Sequence, residues 1–492
     1  MARRPRRDAS TRRSRSREHD APASGSEFAV RIRHYCQGIG DSHLIRFPKA
    51  DGGFFYLLID CGVHSSAAGG TATIRSVVEN IAAVTERIDV LVVTHEHWDH
   101  VSGFLTAAAE FRNISIGQVW MPWTENGEDE LAREFDTFRG AALAALQQVG
   151  QKLDHVRGLA GQMAGLRDGL QALLGFQFGA KGERVRAARD AAAAMAKTGK
   201  PLYLAPAPQP ITVPEVPNLR IWVLGPARDR DTLRVGVRPG GTVRRPGNET
   251  WQVNGAAPGG QAGDSGLPFD AGVGTSLADA ISGQAAAPVV EFVRGNYVGG
   301  ETDAGTGPDA VSWRRIDADW MAPAAELAIR LDRGINNSSL VLAFDMVDTG
   351  RVLLFPGDAQ AESWLSWQGL SWTIGGETVT AADLLARTIY LKAAHHGSRN
   401  GMIGENGLDL MSSPDLAAFV PISEADARKL GWGEMPSHAL LSALRQRTSG
   451  RLIRADDPWI RDPTAVPCLE TPAGSLRALR RGDGLWVEVD VS

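Results

Sequence analysis

The chain has 492 residues, a formal net charge of −5 and 43% hydrophobic residues, which is enough for a large core and too acidic for a chain-wide nucleic-acid surface. Three cysteines, Cys36, Cys61 and Cys468, are too few and too scattered for a disulfide framework or a cysteine zinc site, which fits a reducing compartment. No run of about 18 apolar residues occurs and the start lacks the apolar core of a secretory signal, so a cytoplasmic protein with no membrane association is expected.

Charge is uneven along the chain. The first 17 residues hold eight Arg against one Asp and almost no large apolar side chains, so residues 1–28 read as a disordered Arg-rich tail. Such a tail is either an electrostatic arm for nucleic acid or anionic lipid, or a plain solubility extension. The remainder, 29–492, reads as one domain with two insertions. Leu57–Ile59 is an apolar strand ending at Asp60, and Leu91–Val93 is a second, buried on both faces. Between Glu128 and Lys200, apolar residues such as Leu143, Leu146, Val149, Leu153 and Val156 recur at spacings of three and four, which predicts helices over an insertion of about 125–215. Gly158, Gly161, Gly165 and Gly169 interrupt the pattern and predict two or three helices packed as a hairpin. A Pro-rich connector, Ala205–Pro217, leads to a strand at Leu219–Leu224. Residues 226–330 are rich in Gly, Pro, Ala and Asp and read as a loop-rich insertion. Its Arg238-Pro239-Gly240-Gly241 stretch lacks the Gly-Lys-Ser/Thr ending of a phosphate loop. Strands then follow at Val352–Phe355, Ile389–Leu391, Leu416–Ile422, Arg451–Ala455 and Leu485–Val491, with a helix at Ala439–Arg447.

The chemistry concentrates at His95-Glu96-His97-Trp98-Asp99-His100. Three of the chain's 11 His fall within six positions, directly behind an apolar strand. His95 and His97, two apart, project to one side of an extended segment, Glu96 and Trp98 alternate away, and Asp99 and His100 fall in the turn that follows. Imidazole nitrogen and carboxylate oxygen are the usual donors to zinc and similar divalent ions, so these four donors suit a two-metal centre. Two further strand ends carry the same donor types. Asp358 follows Val352–Phe355 through a Pro-Gly turn, and His395 and His396 follow Ile389–Leu391.

The His95-x-His97-x-Asp99-His100 pattern after an apolar strand resembles the signature of the metallo-β-lactamase fold, an αββα sandwich of metal-dependent hydrolases. Other segments resemble its competence-protein, or ComEC-like, branch: Cys36-Gln37-Gly38-Ile39-Gly40-Asp41-Ser42-His43-Leu44-Ile45, Leu57-Leu58-Ile59-Asp60-Cys61-Gly62, Asn336-Asn337-Ser338-Ser339 and Leu391-Lys392-Ala393-Ala394-His395-His396-Gly397-Ser398. The resemblance implies an α+β, αββα sandwich carrying the helical and the loop-rich insertions. It also implies His95 and His97 on a first metal, Asp99 and His100 on a second, Asp358 bridging both, and His395 completing the second. Two divalent ions are implied, zinc in the first place, with manganese or magnesium as alternatives. Asp99 would orient the nucleophile as well as ligate. Lys392 either faces a substrate oxygen or points to solvent; His396 either faces substrate or plays a structural hydrogen-bonding role. Asp60 is expected to support the ligands from behind, and Asp41 and Ser42 to form a turn. His438 either reaches the site or sits beside a helix cap at Ser437.

One departure stands out. Many members of the fold supply a third imidazole to the first metal, yet no His lies between His155 and His395, and Asn336 or Asn337 occupies roughly that place. The leading expectation is a hydrolase that uses a metal-activated water on phosphodiesters, as a nuclease or phosphodiesterase. The partners it implies are nucleic acid or a small phosphodiester. A thioester or lactam hydrolase and a non-catalytic scaffold are the alternatives.

Overall fold

The computed structural model describes residues 30–153, 165–171, 183–229, 232–233, 287–297 and 321–492, with short gaps at 66, 68, 166, 403, 405–406, 463, 468–473 and 483. The Arg-rich tail, Cys468, Val156, Gly158, Gly161, the Arg238–Gly241 stretch and most of the loop-rich insertion lie outside these residues.

Two sheets form the middle of the molecule. The first takes β1 (Val30–Tyr35), β2 (His43–Pro48), β3 (Phe54–Ile59), β4 (Arg87–Val92), β5 (Ser115–Pro122) and β6 (Leu202–Leu204). The second takes β7 (Ile211–Val213), β8 (Val216–Gly225), β9 (Val341–Met346), β10 (Arg351–Phe355), β13 (Thr388–Lys392), β14 (Ala417–Val420) and β15 (Leu452–Arg454), while β11 (Ser371–Ile374) and β12 (Glu377–Thr380) form a small hairpin. β16 (Leu476–Gly482) and β17 (Trp486–Val491) return to the first sheet, whose order is β16-β17-β1-β2-β3-β4-β5-β6; the second runs β15-β14-β13-β10-β9-β8-β7. β4 is parallel to both β3 and β5, and β10 is parallel to β13. Strands in that setting are covered on both faces, which is why Ile88–Val92 and Val352–Phe355 are unbroken buried runs.

Three apolar layers fix the sandwich. Between the sheets, Ile45, Phe47, Leu57, Val90 and Val92 meet Ile221, Val223, Leu342, Phe344, Leu353, Phe355 and Phe419. Outside the first sheet, Leu58, Leu91 and Val93 pack under the helices Gly70–Val84 and Trp98–Thr106 through Ile74, Val78, Val101 and Phe104. Outside the second, Trp222, Leu354 and Leu391 pack against Trp364, Trp367, Leu384 and Leu444. At about 1.5–3 kcal/mol for each such side chain taken from water, these layers dominate the stability of the arrangement. The order helix, sheet, sheet, helix is the αββα sandwich expected.

The insertions differ from expectation in detail. Glu130–Leu153 is one 24-residue helix that runs through Gly140 and Gly150. Its Ala142, Leu146 and Val149 pack on Leu327, Leu331 and Ile335 of a second helix, Met321–Asn337, and a third helix spans Glu183–Ala193. Met321–Asn337 and a helix at Ala287–Tyr297 therefore fall within or across the end of the segment expected to be loop-rich up to 330. Ala-rich sequence carries high helix propensity, and the spacing of Ala324, Ala328, Leu331 and Ile335 provides an apolar stripe that a composition-based reading overlooks. The segment expected to be helical to 215 also ends early, since β6 and β7 join the two sheets. No helix among the described residues is long and apolar enough to cross a membrane.

Candidate metal centre

The strand ends meet at one edge of the sandwich. Immediately after β4, Thr94 binds the carboxylate of Asp60 at the end of β3: the Thr94 amide donates to Oδ1 at 2.8 Å and its hydroxyl to Oδ2 at 2.6 Å. Asp60 holds φ +56°, a left-handed conformation that Asp adopts more easily than most residues. Close backbone contact completes the junction. The Asp41 amide donates to the Asp99 carbonyl, and a side chain at Gly62 would place its Cβ 2.2 Å from that same carbonyl, so only glycine fits. Asp99 occupies the first turn of helix Trp98–Thr106, where the helix dipole favours a carboxylate.

Asp99, His100, Asp358 and His396 converge, each offering one donor atom, with these atoms all within 4.8 Å of one another and every residue buried. His396 Nε2 lies 2.9 Å from Asp99 Oδ2 and 3.2 Å from Asp358 Oδ2; His100 Nε2 lies 3.1 Å from Asp358 Oδ2. The far side of each ring is anchored. His396 Nδ1 donates to the Pro421 carbonyl and His100 Nδ1 to Asp60 Oδ2, both at 2.8 Å, which leaves each Nε2 facing the cluster. His95 and His97 stand beside them, with His95 Nε2 3.0 Å from His97 Nδ1 and the His95 ring 4.2 Å from that of His100. Because the Thr94 hydroxyl spends its proton on Asp60, its oxygen accepts from His95 Nδ1 at 3.0 Å, so the lone pair of His95 is on Nε2, the nitrogen that faces His97.

The donor set fits divalent cations. Asp99 Oδ1 is buried without a hydrogen-bond partner, and Asp358 Oδ2 has both imidazole Nε2 atoms crowded on it, an arrangement that a cation among them would satisfy. Charge points the same way. Burial opposes protonation of His396 and His100, but Asp358 and Asp99 outweigh it, pushing His396 up to about 10 and His100 well above the usual imidazole range. In the metal-free chain, protons on these two rings balance the carboxylates. Burial similarly favours neutral Asp358 and Asp99, yet the surrounding cationic groups, His396 and His100 for Asp358 and His100 for Asp99, hold both well below the usual carboxylate range. His95 and His97 go the other way. Burial lowers both, His97 to about 3, so their lone pairs are available at neutral pH.

The adjacent pair at 395 and 396 differs from the sequence expectation. His396, not His395, enters the cluster. His395 is half-buried beside the cluster, its ring 6.3 Å from that of His396, and lies within 3.3 Å of the Asn336 amide nitrogen, 3.4 Å of that of Gln360 and 2.6 Å of Ser398 Oγ. Both histidines have positive φ, +47° and +52°, followed by Gly397 at +77°. Two successive left-handed residues swing neighbouring side chains apart at a cost of about 1–2 kcal/mol each, a strain typical of functional sites.

Lys392 faces neither solvent nor an open cleft. Only 1% exposed, it pairs with Asp41 and donates to Asp358 Oδ1 at 3.2 Å and the Gly357 carbonyl at 2.9 Å. Asp41 is thus no simple turn residue: burial works against its charge, but Lys392 and His100 keep it ionised. Its other neighbours, the buried His43 and His34, hydrogen-bond to one another and His34 to Tyr390, an inner polar chain that the sequence reading missed. The only signal for it was a pair of histidines on neighbouring strands. Asp332 approaches His97 Nε2 at 3.8 Å, and Asn336 donates to Asp332 at 3.2 Å. His438, with a side chain 75% exposed, pairs with Glu434 beside the Ser437 cap and lies outside the cluster.

Residues 37–142 match the family model described as the metallo-beta-lactamase superfamily, a span that includes β2 to β5 and the whole of His95–His100. Asp358, His395 and His396 lie beyond it, so their place in the site rests on geometry. No curated protein matches the chain.

Proposed function

We propose that this protein is a divalent-metal-dependent hydrolase of phosphodiesters, a nuclease or phosphodiesterase of the ComEC-like kind. The observation that carries the reading is the buried convergence of Asp99, His100, Asp358 and His396, with Asp99 Oδ1 left unpartnered, beside the paired imidazoles of His95 and His97. When bound, two such cations supply the acidity that brings the pKa of water toward neutrality and stabilise negative charge developing on a phosphoryl oxygen.

The residues divide the work. His95 Nε2 and His97 Nδ1 would hold the first ion; Asp99, His100, Asp358 and His396 the second. Asp358 would serve both, with Lys392 donating to its Oδ1. Asp60, Thr94 and the Pro421 carbonyl fix which nitrogen each ring presents. Lys392 positions the Asp358 carboxylate, and His395, with Asn336 and Gln360, lines the half-buried side on which a substrate would approach. With Asp41, Asp60, Asp99, Asp332 and Asp358 all ionised, two dications together with the Lys392 ammonium would bring the site to neutrality, so no excess of carboxylate charge would oppose a phosphodiester.

The experiment is a substrate panel with zinc, manganese or magnesium added: bis(p-nitrophenyl) phosphate, single- and double-stranded DNA and RNA, a lactam and a glutathione thioester. Cleavage confined to phosphodiesters and abolished by Asp99→Ala is expected. Turnover of the lactam or thioester alone would replace the reading with small-molecule hydrolysis, and metal-free, inert protein would leave a scaffold.

A further inference from the structure

Glu96 stands between His95 and His97 and points away from them, into a buried lattice of ions supplied by the inserted helices. Arg189, on helix Glu183–Ala193, places Nη1 2.7 Å from Glu96 Oε2 and 2.8 Å from Glu125 Oε2. Arg139, on helix Glu130–Leu153, binds both oxygens of Glu125, at 2.8 and 3.1 Å, and lies 3.5 Å from Glu96. Arg186 adds a longer approach to Glu96 at 3.8 Å and closes on Asp136 at 2.6 Å. With Asp190 on Arg189 Nη2 at 2.8 Å, four carboxylates thus face three guanidinium groups. The inner members are almost fully withdrawn from water, with side-chain exposures of 2% for Arg139 and Glu125 and 6% for Glu96.

We infer that Arg139 and Arg189 of the helical insertion are positioning residues for the first metal ion, acting through Glu96 to set the bite of His95 and His97. The inference rests on the metal-dependent reading above and extends it to the insertion. His95 and His97 meet on one side of the bend at Glu96 while Glu96 meets Arg189 on the other, so pinning Glu96 from behind fixes the backbone that aims both imidazoles. A charge-assisted bond to a guanidinium is directional and short, which makes it a stiffer anchor than an apolar contact. The second ion has supports of its own, Asp60 behind His100, the Pro421 carbonyl behind His396 and Lys392 beside Asp358.

The test is site-selective. Full-length protein stripped with chelator is titrated calorimetrically with Co²⁺ or Mn²⁺, the Co²⁺ absorption spectrum being recorded alongside. Wild type should take two ions. Glu96→Gln, which preserves shape, and Arg189→Ala should leave one ion at its wild-type affinity and weaken the other by about 10–100-fold, the range for residues that orient a ligand from behind. Arg189→Lys should recover part of the loss. Two ions bound by Glu96→Gln with wild-type affinities would overturn the inference, as would equal weakening of both together with a lower melting temperature of the metal-free protein. Wild type that takes up no ion would instead sink the metalloenzyme reading itself.

Discussion

The two halves of the His95–His100 motif are built for opposite protonation. His95 and His97 sit where burial dominates and are neutral at any ordinary pH, whereas His100, like its partner His396, sits among carboxylates and keeps a proton until something displaces it. Six consecutive residues therefore present two kinds of site. Under the two-ion reading proposed above, the first would bind a cation without losing protons and with few donors, and the second, rich in donors, would release protons on binding. The difference comes first from Asp358, brought by the second sheet, and then from Asp99 of the motif itself.

The contrast can be broken most severely at Asp358. Asp358→Asn removes the carboxylate that raises both imidazoles and is expected to lower phosphodiester turnover by roughly a thousand-fold, the upper range for loss of one preorganised electrostatic group. It should also bring the His396 titration, followed by NMR of the imidazole, back down toward neutrality. Lys392→Met leaves Asp41 and Asp358 without their buried cation, which should destabilise the metal-free protein by about 3–5 kcal/mol in urea denaturation. Added zinc or manganese should restore most of that, since a dication replaces the lost ammonium; failure to restore would mean that the cluster does not bind one. Asp60→Asn weakens the anchor of His100 and is expected to lower second-site metal affinity by about 10–100-fold, read by chelator competition, with the first site little changed.

The pH dependence sharpens the comparison furthest. His396, at about 10, and His100, raised well above the usual range, are protonated in the metal-free protein at neutral pH, so binding at the second site expels protons and its affinity rises with pH up to about 10. Each proton released contributes about tenfold per pH unit. His97, at about 3, and His95, lowered well below the usual range, are already neutral, so first-site affinity should be flat between pH 6 and 8. Calorimetry in buffers of different ionisation enthalpy counts the protons. Equal slopes at both sites would contradict the assignment of ligands to each.

Much of this was legible in sequence because donors at the ends of apolar strands must gather at one sheet edge. That logic picks out His95, His97, Asp99, His100 and Asp358, and the strands behind them. It cannot decide between His395 and His396, because adjacent residues after a strand are distinguished only by the backbone turn that follows, and two left-handed residues in a row have no reliable sequence mark beyond Gly397. Lys392 and Asp41 were legible as residues but not as partners, since they are 351 positions apart and meet only across the sandwich. The lattice around Glu96 was hidden for the same reason. Arginines on an amphipathic helix look like a solvated face until a buried carboxylate is placed opposite them.

The most direct test is anomalous diffraction at the zinc edge from crystals of the full-length protein grown with zinc. The account predicts a peak about 2.0–2.2 Å from His100 Nε2, His396 Nε2 and carboxylate oxygens of Asp99 and Asp358. A zinc-loaded crystal with no peak among those four residues, or with the ion held by His395 in place of His396, would contradict it.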